Sequence, residues 1–134
     1  MKSCVCFVGL LWFLVLLGSA APVSATQGVT VRYPSGEETV EGYLVTPPGP
    51  GRFPALVVIH EWWGLKEETR EEARRLAAEG YVTLAIDLYR GRVASDRDQA
   101  HELSRGLPED RARRDLLAAF DYLAARPEVL PERL

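Results

Sequence analysis

The run Phe53-Pro54-Ala55-Leu56-Val57-Val58-Ile59-His60-Glu61-Trp62-Trp63-Gly64 constrains the fold more than any other stretch of this chain. Leu56 to Ile59 is continuous, apolar and rich in β-branched residues. It predicts a strand covered on both faces, as in a parallel sheet flanked by helices. The strand then stops in an ionisable pair, two indoles and a glycine. Ligands in such sheets bind beyond the carboxyl ends of the strands, which is where His60 and Glu61 fall. The competing reading is a strand that ends in polar residues at water, with Trp62 and Trp63 packed at its rim.

The flanking sequence extends the pattern. A helical stretch over Glu67 to Glu79 carries Glu67, Glu68, Glu71 and Glu72 early and Arg74 and Arg75 late. That order suits the helix dipole and permits a Glu71 to Arg75 pair. Ala73, Leu76 and Ala77 form its sheet-facing side, and Gly80 closes it. A second buried strand, Tyr81 to Ile86, follows in β-α-β order and exits through Asp87-Leu88-Tyr89-Arg90-Gly91. Upstream, Gly28 to Tyr33 and Thr39 to Val45 alternate around a Pro34-Ser35-Gly36 turn signal, which predicts an antiparallel hairpin. Pro47 to Gly51 is a stiff connector. Downstream, a short helix is expected over Arg97 to Ser104. A longer one begins at Pro108, with Ala112, Leu116, Ala119, Phe120 and Leu123 on one face. Arg111, Arg113 and Arg114 read as a solvated face with ion pairs.

The blocks "PALVVIHEWWGL" and "ARRLAAEGYVTLAIDLYRG", with looser agreement through "RDQAHEL" and "LLAAFDYLAARP", resemble the dienelactone hydrolase family of the α/β-hydrolase superfamily across residues 28–134. The resemblance implies an α/β class: the N-terminal half of an α/β-hydrolase fold, with an antiparallel hairpin leading into a parallel β-α-β sheet. Enzymes of that family use a Cys, or a Ser in relatives, on a sharp strand-to-helix elbow, with Asp and His later in the chain. Here the only cysteines are Cys4 and Cys6, and no Ser stands in a G-x-S-x-G frame. The implied reading is the front half of a hydrolase without its triad, with Pro127 and Pro131 bracketing the turn toward the elbow strand.

Four residues are candidates for chemistry. Glu61, at a strand end beneath two tryptophans, is expected to be partly desolvated and so suited to exchange a proton. The family's matching Glu contacts the nucleophilic Cys; the alternative is a Glu that hydrogen-bonds loop amides. The backbone N–H of Trp62 matches one of the two oxyanion-hole donors of the superfamily. Trp63 either walls an acyl pocket or simply packs. The resemblance places Arg97 where archetypal lactone hydrolases hold an Arg for the substrate carboxylate, a task that suits a guanidinium; an ordinary surface Arg is the alternative. His60-Glu61 begins like the H-E-x-x-H zinc signature, but position 64 is Gly and the pair ends a strand. His101, the other histidine, has no ligand-spaced partner. Neither a metal nor a cofactor is expected.

Residues 1–25 read as a secretory leader: Lys2, an apolar Val5 to Leu17, then small residues permitting cleavage after Ala25 or Ala20. The apolar run is short for a bilayer span, with an uncleaved anchor as the alternative. Residues 26–134 are then one partial domain, exported to a periplasmic or extracellular space without a stable membrane span. The net charge of −3 argues against nonspecific nucleic-acid binding. The expected function is an exported hydrolase of small esters or lactones acting by nucleophilic acyl transfer. The alternative is a non-catalytic secreted binding module on the same fold.

Overall fold

The computed structural model describes residues 27–134; the leader expectation concerns residues outside that range. The hairpin forms as β1 (Val29–Ser35) and β2 (Glu38–Val45), antiparallel from Val29↔Leu44 to Ser35↔Glu38. Its turn is Gly36-Glu37, later than the Pro34-Ser35-Gly36 signal suggests. Gly36 has φ 62°, the positive value that a II′-type hairpin turn requires at its first central residue. Pro34 stays within β1 because among the described residues β1 is an edge strand, where one side of the backbone has no ladder to complete.

β3 (Ala55–Ile59) and β4 (Val82–Ile86) run parallel, from Ala55↔Val82 to Ile59↔Ile86, while β2 and β4 are antiparallel. The mixed sheet has the order β1-β2-β4-β3. All five residues of β4 are buried, as its composition demands. β3 departs from expectation: it is the opposite edge and only half-buried, with Ile59 55% exposed. Among the described residues it has one neighbouring strand, so its apolar side chains are only partly covered. A single parallel bridge, Phe53↔Val129, begins on its far side. There Phe53 N–H donates to Glu128 O at 2.8 Å and Leu130 N–H donates to Phe53 O at 2.8 Å. The anticipated turn between Pro127 and Pro131 is thus this bridge, followed by a 3-10 turn over Pro131–Arg133.

Helices cover both faces. α1 (Glu67–Ala78) lays Ala73 and Ala77 against Tyr43, Val45 and Ala85; the small side chains let helix and sheet approach until Thr83 Oγ1 donates to Ala73 O at 2.9 Å. Gly80, at φ 97°, ends it. Arg75 pairs with Glu72 instead of Glu71, and Arg74 reaches Glu67. α2 (Arg97–Arg105) is capped by Asp96, whose carboxylate accepts Gln99 N–H at 2.9 Å. α3 (Glu109–Ala124) buries Ala119 and Leu123 in the other core with Tyr33, Val40, Leu44, Leu84 and Ile86. Phe120, assigned above to the buried stripe, is exposed; the stripe's third fully buried position is Asp115. Among the described residues, no helix is long and apolar enough to cross a membrane.

Candidate active site

The strand ends of β3 and β4 lie side by side because their register pairs Ile59 with Ile86. After β3 the chain makes a four-residue turn, Glu61 to Gly64, closed by Gly64 N–H donating to Glu61 O at 3.1 Å. Gly64 has φ 96°, and a Cβ there would stand 2.5 Å from Arg92 O, so no other residue fits. Trp63 O accepts Ala94 N–H at 2.9 Å, tying this turn to the segment beyond β4.

His60 joins the two strand ends from inside. It is buried, its Nδ1 lies 2.6 Å from Glu61 O, and its Nε2 accepts the Leu88 N–H at 3.3 Å. A carbonyl only accepts and an amide N–H only donates, so Nδ1 must carry the hydrogen and Nε2 the lone pair. Both ring nitrogens are therefore engaged, which removes His60 from use as a metal ligand. Tyr89 meets the ring edge-on at 4.6 Å, and burial pushes its phenol pKa up. Asp87 steadies the β4 exit by accepting Tyr89 N–H at 3.0 Å and the Gly91 N–H.

The candidate residues separate in character. Glu61 is exposed, and its carboxylate forms no hydrogen bond or ion pair among the described residues. The expected desolvation beneath the tryptophans is therefore not found: Glu61 opens with Ile59 and Lys66 onto a groove of about 410 Å³ that neither indole lines. Trp62 is half-buried, its ring 5.2 Å from Trp63 and 4.8 Å from His101. Its N–H takes part in no hydrogen bond among the described residues. Lys66 Nζ lies over Trp63 at 5.6 Å. The His101 contact brings α2 beside the turn, and Arg97 stands one helical turn earlier on that helix, exposed and without an ion pair among the described residues.

A buried charge network behind the β4 exit was not anticipated. Asp115 is 0% exposed; Ser35 Oγ donates to its Oδ1 at 2.6 Å, and Arg90 Nη1 lies 2.7 Å from its Oδ2. Arg90 also reaches Glu38 at 2.8 Å, and Arg114 reaches the same carboxylate at 3.0 Å. Burial disfavours the Asp115 carboxylate, but Arg90 and Ser35 outweigh it and hold its pKa below the usual range. Burial, then Asp115, push the Tyr33 phenol pKa up. Arg90 adopts φ 56°, unusual for a residue with a side chain, and the network holds it there. Arg111 is half-buried and its Nη2 lies 3.4 Å from Leu88 O, whereas Arg113 and Arg114 are exposed as a solvated face requires. The available signal for Asp115 was its position: three residues after Ala112 and four before Ala119, inside the apolar stripe.

Residues 40–134 match the Dienelactone hydrolase family. The chain is 38% identical over 87 residues to a provisionally assigned carboxymethylenebutenolidase of Aquifex aeolicus, covering 63% of this chain and 37% of that protein. It is 42% identical over 67 residues to a provisionally assigned hydrolase fragment of Escherichia coli, covering 49% and 57%. Among solved structures, a provisionally assigned dienelactone hydrolase of Klebsiella pneumoniae superposes with a TM-score of 0.73 at 30% identity, over 83% of this chain and 48% of that one. A dienelactone hydrolase-like promiscuous phosphotriesterase from metagenomic libraries gives 0.71 at 33%, over 82% and 47%. The chain thus spans less than half the length of most of these relatives. With an antiparallel hairpin feeding a parallel β-α-β unit and a turn of His-Glu-Trp-Trp-Gly at the end of β3, this chain belongs to the dienelactone hydrolase family.

Proposed function

We infer that this chain supplies the front half of an exported hydrolase of small esters or lactones, acting by nucleophilic acyl transfer through a Cys or Ser. That nucleophile and its Asp and His partners stand outside these 134 residues. The observation that carries the reading is the Trp62 N–H, without an acceptor among the described residues at the carboxyl end of β3, in a chain of this family. In such a reaction negative charge develops on the substrate carbonyl oxygen as the nucleophile adds. A fixed N–H aimed at that oxygen stabilises the transition state more than the ground state. Trp62 N–H is one donor, and the second follows the nucleophile. Glu61, solvent-facing here, meets the nucleophile once the rest of the fold covers it. Arg97 receives an anionic substrate group from α2, and Trp63 walls the acyl side.

The test begins with the DNA beyond the codon for Leu134, where a frame continuing into G-x-C-x-G or G-x-S-x-G is expected. In that protein Trp62→Pro deletes the donor N–H at the second residue of a turn, a position proline tolerates. It should lower kcat on an aryl ester about 100- to 1,000-fold, whereas Trp62→Phe should lower it far less. Intact mass of secreted protein, showing loss of residues 1–25 or 1–20, checks export. A frame that stops at Leu134 and an inactive secreted product would leave the binding module as the better account.

A further inference from the structure

The Trp62 N–H can act as an oxyanion donor only if its direction is fixed, and a residue outside the reacting set does this. The Glu61–Trp62 peptide is planar and trans, so its carbonyl and its N–H point in opposite directions. Whatever pins the Glu61 carbonyl therefore aims the Trp62 N–H. Two donors pin it: Gly64 N–H at 3.1 Å from the turn and His60 Nδ1–H at 2.6 Å from the strand end. In the neutral imidazole the hydrogen sits on Nδ1 when Nε2 is bare, and the Leu88 N–H, donating to Nε2 at 3.3 Å, favours that tautomer. Leu88 is in turn held by the Asp87 carboxylate on the flanking amides and by Arg111 on its carbonyl.

We propose that His60 is a positioning residue: through its Nδ1–H on the Glu61 carbonyl it orients the Trp62 N–H at the end of β3, and through Nε2 it couples that orientation to the loop after β4. It touches no substrate. This inference rests on the reading of Trp62 N–H as an oxyanion donor, but its geometry is testable without catalysis.

Solid-state NMR of the 134-residue chain, which reads local structure whether or not the chain associates, provides the test. His60 is expected as the Nδ1–H tautomer, with the Trp62 amide as ordered as rigid backbone, an order parameter of about 0.85. Two variants then separate positioning from ring packing. Asn at position 60 places an amide donor near where Nδ1 stood, whereas Gln places its amide near Nε2; both lose the ring. His60→Asn should keep the Trp62 amide ordered, and His60→Gln and His60→Phe should let it fall toward about 0.6. An Nε2–H or mixed tautomer in the wild type would overturn the inference. So would equal Trp62 order in the Asn, Gln and Phe variants, which is what a role in packing alone gives. Ordering as expected, with no hydrolysis by the longer protein, would defeat the proposed function and leave the positioning role standing.

Discussion

Replacing Asp115 by Ala should be the most damaging single change to the framework behind the strand ends. The side chain is inaccessible to water and holds Ser35 at 2.6 Å and Arg90 at 2.7 Å. Removing one partner of a buried ion pair costs about 3–5 kcal/mol, because the other charge is left without compensation. A buried hydroxyl without an acceptor costs about 1–3 kcal/mol. Two observations reduce the first figure: the Arg90 side chain is only partly buried, and it keeps Glu38. A net loss of about 3 kcal/mol follows. In urea, with a slope of about 1–3 kcal/mol per molar, this moves the unfolding midpoint down by about 1–3 M, read by tryptophan fluorescence. The double variant Asp115→Leu with Arg90→Met should be more stable than Asp115→Ala alone, since it removes both charges together. A midpoint for Asp115→Ala equal to the wild type, or a double variant worse than the sum of its parts, would refute the reasoning.

The same residue sets a pH dependence. Unfolded, Asp115 takes up its proton at about pH 3.9; folded, it does so only at lower pH. Between those values the unfolded state binds more protons. The contribution of Asp115 to stability is therefore complete above the unfolded value, declines as pH falls, and is gone below the folded value. Asp115→Asn should lose this component of the acid transition while the other carboxylates keep theirs.

Gly64→Ala should destabilise by more than about 1 kcal/mol, since it combines a positive φ with a Cβ 2.5 Å from Arg92 O; a thermal melt unchanged from wild type would contradict this. On the proposed reading, the 134-residue chain alone should show no turnover of an aryl ester or an unsaturated lactone above a Glu61→Gln control, because one oxyanion donor does not replace a nucleophile and base. Size-exclusion chromatography of residues 26–134 should show association, driven by the exposed edge of β3 with Ile59 outward; a compact monomer with a sharp melt would count against it.

Hydrophobic period and turn chemistry were enough to read β1 to β4 and α1 to α3, because each of these elements is decided by residues within one or two turns of one another. Sheet order was legible only in part. Leu56 to Ile59 has the composition of a strand buried on both faces, yet β3 is an edge among the described residues, and composition reports the surroundings a strand is suited to, whichever neighbours lie beside it. The turn at Gly36 moved because Ser35 is held inside by Asp115, a contact that links residues 80 apart. Such contacts leave only an indirect mark, here a carboxylate at an apolar-stripe position.

His60 shows where local reading stops. Its chemistry looked like the start of a zinc motif, because sequence spacing compares it only with Glu61 and Gly64. The partner that settles its tautomer is Leu88, 28 residues away. That partner is delivered by the parallel register that sets Ile59 beside Ile86 and thereby brings the exits of the two strands together. Arg90, Asp115 and Ser35 then keep the second exit in place from behind. The buried charge that looks purely structural and the Trp62 amide proposed as an oxyanion donor are thus ends of one chain of contacts. Loosening the network at Asp115 should accordingly weaken the His60 to Leu88 bond before it unfolds the sheet.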